Sequence, residues 1–114
     1  MSTTDTGRKA ERAAANYLEM RGYAIIEMNW RRPRSEVDII ARKAGVIYFV
    51  EVKYRRTDAQ GSGLEYITDA KLQRMKRGAF YWVDETKYTG EFQLAAIEVS
   101  GPQFTVEHFI DNIH

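Results

Sequence analysis

The sequence contains no cysteine, only two prolines and two histidines, and no long apolar run. The lack of cysteine excludes a disulfide framework and a thiolate metal site, and it predicts a cytoplasmic protein. The longest apolar run, Val46 to Val50, is far too short to span a bilayer. The polar first residues also lack the apolar segment of a signal peptide. We therefore expect no membrane partner. His108 and His114 are isolated from each other and from other ligand residues, so they do not predict a histidine metal site.

Positive charge is scarce towards the C-terminal end. Residues 84–114 hold one basic side chain, Lys87, against six acidic ones, whereas residues 1–83 hold 16 basic and 10 acidic side chains. The net charge of +1 therefore conceals a basic region and an acidic region. A basic region predicts an anionic partner such as nucleic acid, although ordinary solvated surface would give the same counts.

The length and composition predict one globular domain spanning residues 1–114, because the chain is 44% hydrophobic and 29% charged. Apolar spacing predicts a helix from Thr6 to Arg21, and Thr68 caps a second helix that ends near Asp84. Segments rich in β-branched and aromatic residues predict five strands, at 23–30, 37–41, 46–54, 92–99 and 104–110. Turns are expected at 31–34 and 43–45, and a flexible glycine-rich loop at 57–66.

The predicted order α-β-β-β-α-β-β defines an α/β fold. The second and third strands are separated by a short turn and should form a hairpin. The second helix then acts as a crossover, which normally makes the next strand parallel to a neighbour. We expect a mixed sheet with helices packed on it.

Glu51 and Lys53 are the first candidates for chemistry. They lie two residues apart at the end of the most apolar strand, so they share one face of it. A carboxylate at the buried end of a core strand needs a cation or hydrogen-bond donors. Lys53 is one possible partner for this carboxylate, and a hard divalent cation is the other. A simple ion pair between the two residues is the alternative.

Further carboxylates are expected near Glu51. If the second and third strands pair, Asp38 lies beside Glu51, and two adjacent carboxylates repel each other unless a cation separates them. Glu36 shares the face of Asp38 by alternation, as a further ligand or a supporting group. Glu11, at the margin of the first helix's apolar stripe, can reach over the sheet towards Asp38. The alternative is that all three are solvent-facing.

Basic residues cluster in three places, where arginine forks and aromatic rings suit phosphates and bases. The predicted nucleic-acid contacts are Arg31, Arg32 and Arg34 in the first turn, Arg55 and Arg56 after the third strand, and Lys71 and Arg74 on the second helix. A solvated charged surface is the competing interpretation of these clusters.

Taken together, the motifs resemble the YraN-like bacterial proteins, which are related to the PD-(D/E)xK nuclease superfamily and to Holliday-junction resolvases. The likeness covers nearly the whole chain. It rests on Gly7-x-x-x-Glu11, Ala14-x-x-Tyr17-Leu18, Gly22-Tyr23, Asn29, Glu36-Val37-Asp38-Ile39-Ile40, Phe49-Val50-Glu51-Val52-Lys53-x-Arg55, Lys71 and Arg74. Two positions depart from the family pattern: Ser35 stands where glycine is usual, which makes the turn less permissive, and Gln93 stands where an aspartate is usual.

The resemblance implies a three-layer α/β/α restriction-endonuclease-like core with a mixed central sheet, and a bound Mg²⁺ or Mn²⁺. By this likeness Asp38, Glu51 and the Val52 carbonyl hold the metal. Lys53 orients or activates the attacking water and offsets charge in the transition state. Glu11 is an outer or second-metal carboxylate.

The resulting hypothesis is a metal-dependent endonuclease, a phosphodiesterase acting on DNA more than on RNA, with branched or processed intermediates as substrates. A non-catalytic nucleic-acid-binding module with a nuclease-like fold is the alternative, and an interaction protein within a larger complex is a third. A homodimer is expected, because one small subunit has little surface with which to hold a duplex.

Overall fold

A computed structural model describes residues 3–56 and 67–113. The loop predicted at 57–66 and His114 lie outside the described residues. The elements follow the predicted order: α1 (Thr3–Met20), β1 (Ala24–Arg32), β2 (Ser35–Lys43), β3 (Val46–Arg55), α2 (Asp69–Thr86), β4 (Phe92–Ser100) and β5 (Thr105–Ile110). The Thr68 side chain accepts a hydrogen bond from the Lys71 N–H at 3.2 Å, so the predicted N-cap is confirmed. No helix among the described residues has the length and hydropathy needed to cross a membrane.

The strands form one five-stranded sheet in the order β1-β2-β3-β4-β5. Neighbours are antiparallel except β3 and β4, which are parallel and are connected through α2. This confirms the predicted hairpin of β2 and β3 and the predicted mixed sheet. A crossover helix produces this result because it returns the chain to the end of the sheet where β3 began, so that β4 runs in the same direction.

The two helices cover opposite faces of the sheet, so the three-layer α/β/α arrangement is confirmed. Ala14 and Leu18 of α1 pack with Val50 on one face. Ala79 and Trp82 of α2 pack with Phe49 on the other. Successive residues of β3 thus serve different cores, as alternation in a doubly covered strand requires.

The turn between β1 and β2 is shorter than expected. The turn predicted to begin at Arg31 was wrong there, because β1 continues to Arg32, which pairs with Ser35 across a two-residue Pro33-Arg34 turn. The left-handed φ of 61° falls on Arg34. Ser35 therefore does not occupy the position that needs glycine.

Helix α2 approaches the sheet closely at Gly78. A Cβ at this position would lie 2.9 Å from Cγ2 of Val37 on β2, closer than real Cβ atoms approach. The absence of a side chain at Gly78 allows α2 to lie against β2, and this fixes where the first turns of α2 stand relative to β2 and β3.

Candidate functional site

The β2 and β3 strands separate at the position of the predicted acidic pair. Their ladder of paired residues ends at Ile39 and Val50, and one further step would place Asp38 opposite Glu51. Instead, the Val52 backbone N–H donates a hydrogen bond of 2.7 Å to Oδ2 of Asp38. The Asp38 carboxylate therefore occupies the gap where the two strands part.

A break in strand alternation accompanies this separation. Val37 packs in the core under α2, whereas Ile39, two residues later, packs in the core under α1. Residues two apart in a regular strand share a face, so β2 changes face around Asp38. The neighbouring strand does the same, since Met28 packs on the α1 side, Trp30 on the α2 side, and Asn29 between them has a left-handed φ of 55°.

A charged cavity of about 220 Å³ lies at this open end of the hairpin. Three carboxylates from β2 and β3 and two cations from the start of α2 contribute to its walls. Its lining residues are Glu36, Asp38, Glu51, Lys71, Arg74 and Met75. The structure thus brings together the Asp38, Glu51 and Glu36 that the sequence placed near one another, and it adds Lys71 and Arg74 from α2.

Asp38 is the most perturbed carboxyl group of this cavity. It is only 9% exposed, and its pKa is raised from 3.8 to about 7. Burial is the largest cause, and the negative charges of Glu51, Glu11 and Glu36 raise the pKa further, while the Val52 N–H lowers it. A cation placed in the cavity would favour the ionised form of Asp38.

Glu51 already has a cationic neighbour. The Lys71 Nζ donates to Oε2 of Glu51 at 2.6 Å, and these side chains are only 30% and 18% exposed. Lys71 was predicted as a phosphate contact, and its pairing with Glu51 was missed. The signal available in the sequence was the Thr68 cap, which fixes the start of α2 and places Lys71 in its first turn.

Glu11 stands beside the cavity but lines a different one. It contributes to a cavity of about 390 Å³ between α1 and β1, which is also lined by Asn29. Burial raises the pKa of Glu11, and a hydrogen bond with Asn29 opposes the rise. Glu11 is electrostatically coupled to Asp38 and Glu36. Sequence reasoning assigned Asn29 no contact, because strand alternation does not predict the left-handed backbone that Asn29 adopts within β1.

Lys53 and Val52 follow Glu51 along β3. Lys53 shares the face of Glu51 by alternation and is exposed, and the walls of the 220 Å³ cavity are formed by other residues. The Val52 side chain packs on the α1 side, and its N–H binds Asp38. Among residues 3–56 and 67–113, no group of three or more Asp, Glu or His side chains is arranged to hold a metal ion.

The predicted arginine contacts differ in their surroundings. Arg32 makes two hydrogen bonds of 2.6 Å to Glu85 and lies over the Trp30 ring. Arg31 is 3.5 Å from Glu36, and the half-buried Arg55 is 2.6 Å from the buried Glu98.

Arg34 and Arg56 are exposed. These arginines are distributed over the turn between β1 and β2 and the end of β3 rather than gathered in the cavity.

The fold and the cavity together define an α/β protein with a charged cavity where two strands of its sheet part. The chain belongs to the uncharacterised protein family UPF0102, whose family model matches residues 10–102. This confirms the resemblance to the YraN-like proteins.

Relatives of similar length carry the same family name. The chain is 38% identical over 104 residues to the UPF0102 protein of Sulfurihydrogenibium, covering 90% of each chain. It is 39% identical over 107 residues to that of Wolinella succinogenes, covering 94% of each chain. The UPF0102 protein of Leifsonia xyli is 45% identical over 78 residues, which are 68% of this chain and 66% of the relative.

Proposed function

We propose that this protein is a metal-dependent phosphodiesterase that acts on nucleic acid, with DNA as the preferred substrate. The observation that carries the proposal is the cavity at the open end of the β2–β3 hairpin, where the carboxylates of Asp38 and Glu51 meet Lys71 and Arg74. Carboxylates beside cations suit a reaction in which a divalent ion and a phosphate group occupy neighbouring positions.

The donor set fits Mg²⁺ or Mn²⁺. Asp38 and Glu51 would hold the ion, with the Val52 carbonyl as a third protein ligand. Two carboxylates are sufficient, because Mg²⁺ keeps several waters and is usually bound through one or two carboxylates. Burial is the main cause of the raised pKa of Asp38, and the neighbouring carboxylates add to it; both effects support the proposal, since a bound cation would offset the lost hydration and relieve the repulsion. The chemistry that the ion supplies when bound is Lewis-acid stabilisation of charge developing on the phosphodiester.

The chain's own residues supply position and charge. The Val52 N–H holds the Asp38 carboxylate at the mouth of the strand gap. Lys53, on the face of Glu51, orients the attacking water and offsets negative charge on the phosphorus oxygens. Arg74 of the cavity wall binds a neighbouring phosphate. Glu11, held by Asn29, adds negative charge behind Asp38.

A cleavage assay on two lysines of the same hairpin tests this proposal. Wild-type protein should cut labelled DNA that contains branched or unpaired segments in Mg²⁺ or Mn²⁺ but not in EDTA. Lys53→Ala should lower the cleavage rate about 100-fold or more, because it removes a positioned charge. Lys43→Ala, an exposed lysine at the turn end of the hairpin, is the matched control and should keep the wild-type rate. Cutting that survives Lys53→Ala would refute the assigned mechanism.

The Lys71–Glu51 ion pair favours a second candidate function, a nucleic-acid-binding module without turnover. An ammonium group 2.6 Å from Oε2 of Glu51 already neutralises one of the two proposed metal ligands. In this case purified protein would bind DNA and leave it uncut in either metal, and Lys53→Ala would bind DNA as the wild type does.

A further inference from the structure

Two neighbouring aromatic side chains on the outer face of α2 are exposed. Phe80 is 63% exposed and Tyr81 is 38% exposed. Together with Gln73, Lys76, Arg77 and Asp84 they line an open groove of about 470 Å³. This groove is distinct from the charged cavity at the open end of the hairpin. The face of α2 that packs on the sheet is formed by other residues.

The spacing of the inward residues turns these rings outward. Met75, Ala79 and Trp82 follow helical periodicity and are buried against the sheet. Phe80 and Tyr81 fall between the last two of them and therefore project away from the core. The Phe80 ring meets the Phe92 ring edge-on, with 6.3 Å between the centroids. That contact orients Phe80 while most of its surface remains open to solvent.

Basic residues accompany both rings. Lys76 and Arg77 each lie one helical turn before Phe80 and Tyr81, so they share the same side of α2. Nη1 of Arg77 donates to the Arg34 carbonyl at 3.1 Å, which ties the groove to the exposed turn between β1 and β2. Aromatic faces flanked by cations suit a ligand that combines flat apolar rings with negative charge. Unpaired nucleotides have this chemistry, whereas a purely apolar partner would gain nothing from the charges.

The groove and the cavity are connected along one helix. Lys71 and Arg74 line the cavity, and Arg77 and Tyr81 continue the same side of α2 into the groove. Seven residues, about two helical turns, separate Arg74 from Tyr81, so the two lie on the same side of α2 with a rise of about 10 Å between them. Stacked nucleotides rise about 3.4 Å each, so a strand with one phosphate at Arg74 reaches the Tyr81 ring within about three nucleotides.

We propose that the α2 groove binds unpaired bases of the nucleic-acid strand whose backbone enters the cavity, with Phe80 and Tyr81 as stacking platforms. This inference rests on the proposed function and deepens it, because it assigns the substrate class as strands with a single-stranded segment next to the reacting phosphate. Paired bases in a duplex are stacked on each other and would not engage the rings.

Fluorescence anisotropy in EDTA tests the groove without cleavage. The probes are a labelled single-stranded oligonucleotide and a blunt duplex of the same length. Phe80→Ala should weaken single-strand binding about 5- to 100-fold, the effect of losing one stacked base, and change duplex binding less than twofold. Phe80→Trp should restore single-strand binding. Met20→Ala, which removes an 88% exposed apolar side chain from α1, should change neither affinity.

The outcomes separate this inference from the proposed function. Unchanged or equal effects of Phe80→Ala on the two probes would overturn the groove and leave the phosphodiesterase proposal standing. Selective loss of single-strand binding, combined with no cleavage in any metal, would support the groove and refute the catalytic proposal. A wild-type protein that binds neither probe would refute both. If sedimentation shows a dimer that Phe80→Ala dissociates while DNA binding is unaffected, the groove is a self-association surface and the inference is wrong.

Discussion

The two ends of the β2–β3 hairpin are held together differently. At the turn end, Lys43 pairs with Val46 across the two-residue Ala44-Gly45 turn, and the ladder continues without a break to Ile39. Beyond that residue the strands part, and the Asp38 side chain takes the Val52 N–H. At the turn end, backbone N–H and carbonyl groups of the two strands hydrogen-bond to each other. At the open end, the Asp38 carboxylate accepts the hydrogen bond from a backbone N–H.

This difference places the chemistry where the sheet is least regular. Separated strands leave room for a cavity and expose a backbone donor that can position an acid. The cost is electrostatic, because Asp38 is buried near Glu51, Glu36 and Glu11. A site that gathers like charges is expected to lower the stability of the metal-free protein and to gain it back when a cation binds.

The largest expected effect is at the open end, in the pH dependence of stability. The pKa of Asp38 is about 7 in the folded protein and 3.8 as the ordinary value. The protonated group therefore favours folding below about pH 4, and this contribution is lost as the pH rises through 7. Asp38→Asn does not ionise and can still accept from Val52. In metal-free buffer it should raise the free energy of unfolding by about 2–4 kcal/mol at pH 8, and by little at pH 4.

A substitution at the closed end is the matched control for Asp38→Asn. Ala44 has a left-handed φ of 53°, which glycine adopts without strain. Ala44→Gly should raise stability by about 0.5–1 kcal/mol, and by the same amount at both pH values. Denaturant unfolding at pH 4 and pH 8 measures both variants. An effect of Asp38→Asn on stability that is the same at both pH values would show that the pKa of Asp38 is not raised in the folded protein.

A smaller effect is expected from the cation that accompanies Glu51. Because the Lys71 ammonium competes with any divalent ion for Glu51, Lys71→Met should tighten Mn²⁺ binding about 3- to 10-fold. Lys76→Met, on the outer face of α2, should leave the affinity unchanged. Calorimetric titration with Mn²⁺ measures both, and weaker binding to Lys71→Met would instead make Lys71 a support for the Glu51 geometry.

Local patterns predicted much of this fold. The Thr68 cap, the short turn after Lys43 and the alternation that puts Glu51 opposite the face of Val50 are each written in a few adjacent residues. The turn between β1 and β2 was misplaced because its extent depends on a distant contact: Arg32 stays in β1, pairs with Ser35 and binds Glu85, 53 residues away.

The detailed site could not be predicted for the same reason. The change of face at Asp38 is accompanied by a left-handed Asn29 on the neighbouring strand, which no strand propensity anticipates. The arrival of Lys71 at Glu51 requires the close approach of α2 that Gly78 permits. Strand pairing predicted that the acidic residues lie at the open end of the hairpin, but their partners come from tertiary packing.

The central claim is that the open end of the hairpin binds a divalent cation through Asp38 and Glu51. Calorimetric titration of the metal-free protein with Mn²⁺ at pH 8 tests it most directly, with Glu51→Gln and Asp38→Asn beside the wild type. The account predicts saturable binding by the wild type and at least a 10-fold loss of affinity in each variant. Absence of binding by the wild type, or equal affinity in all three proteins, would contradict it.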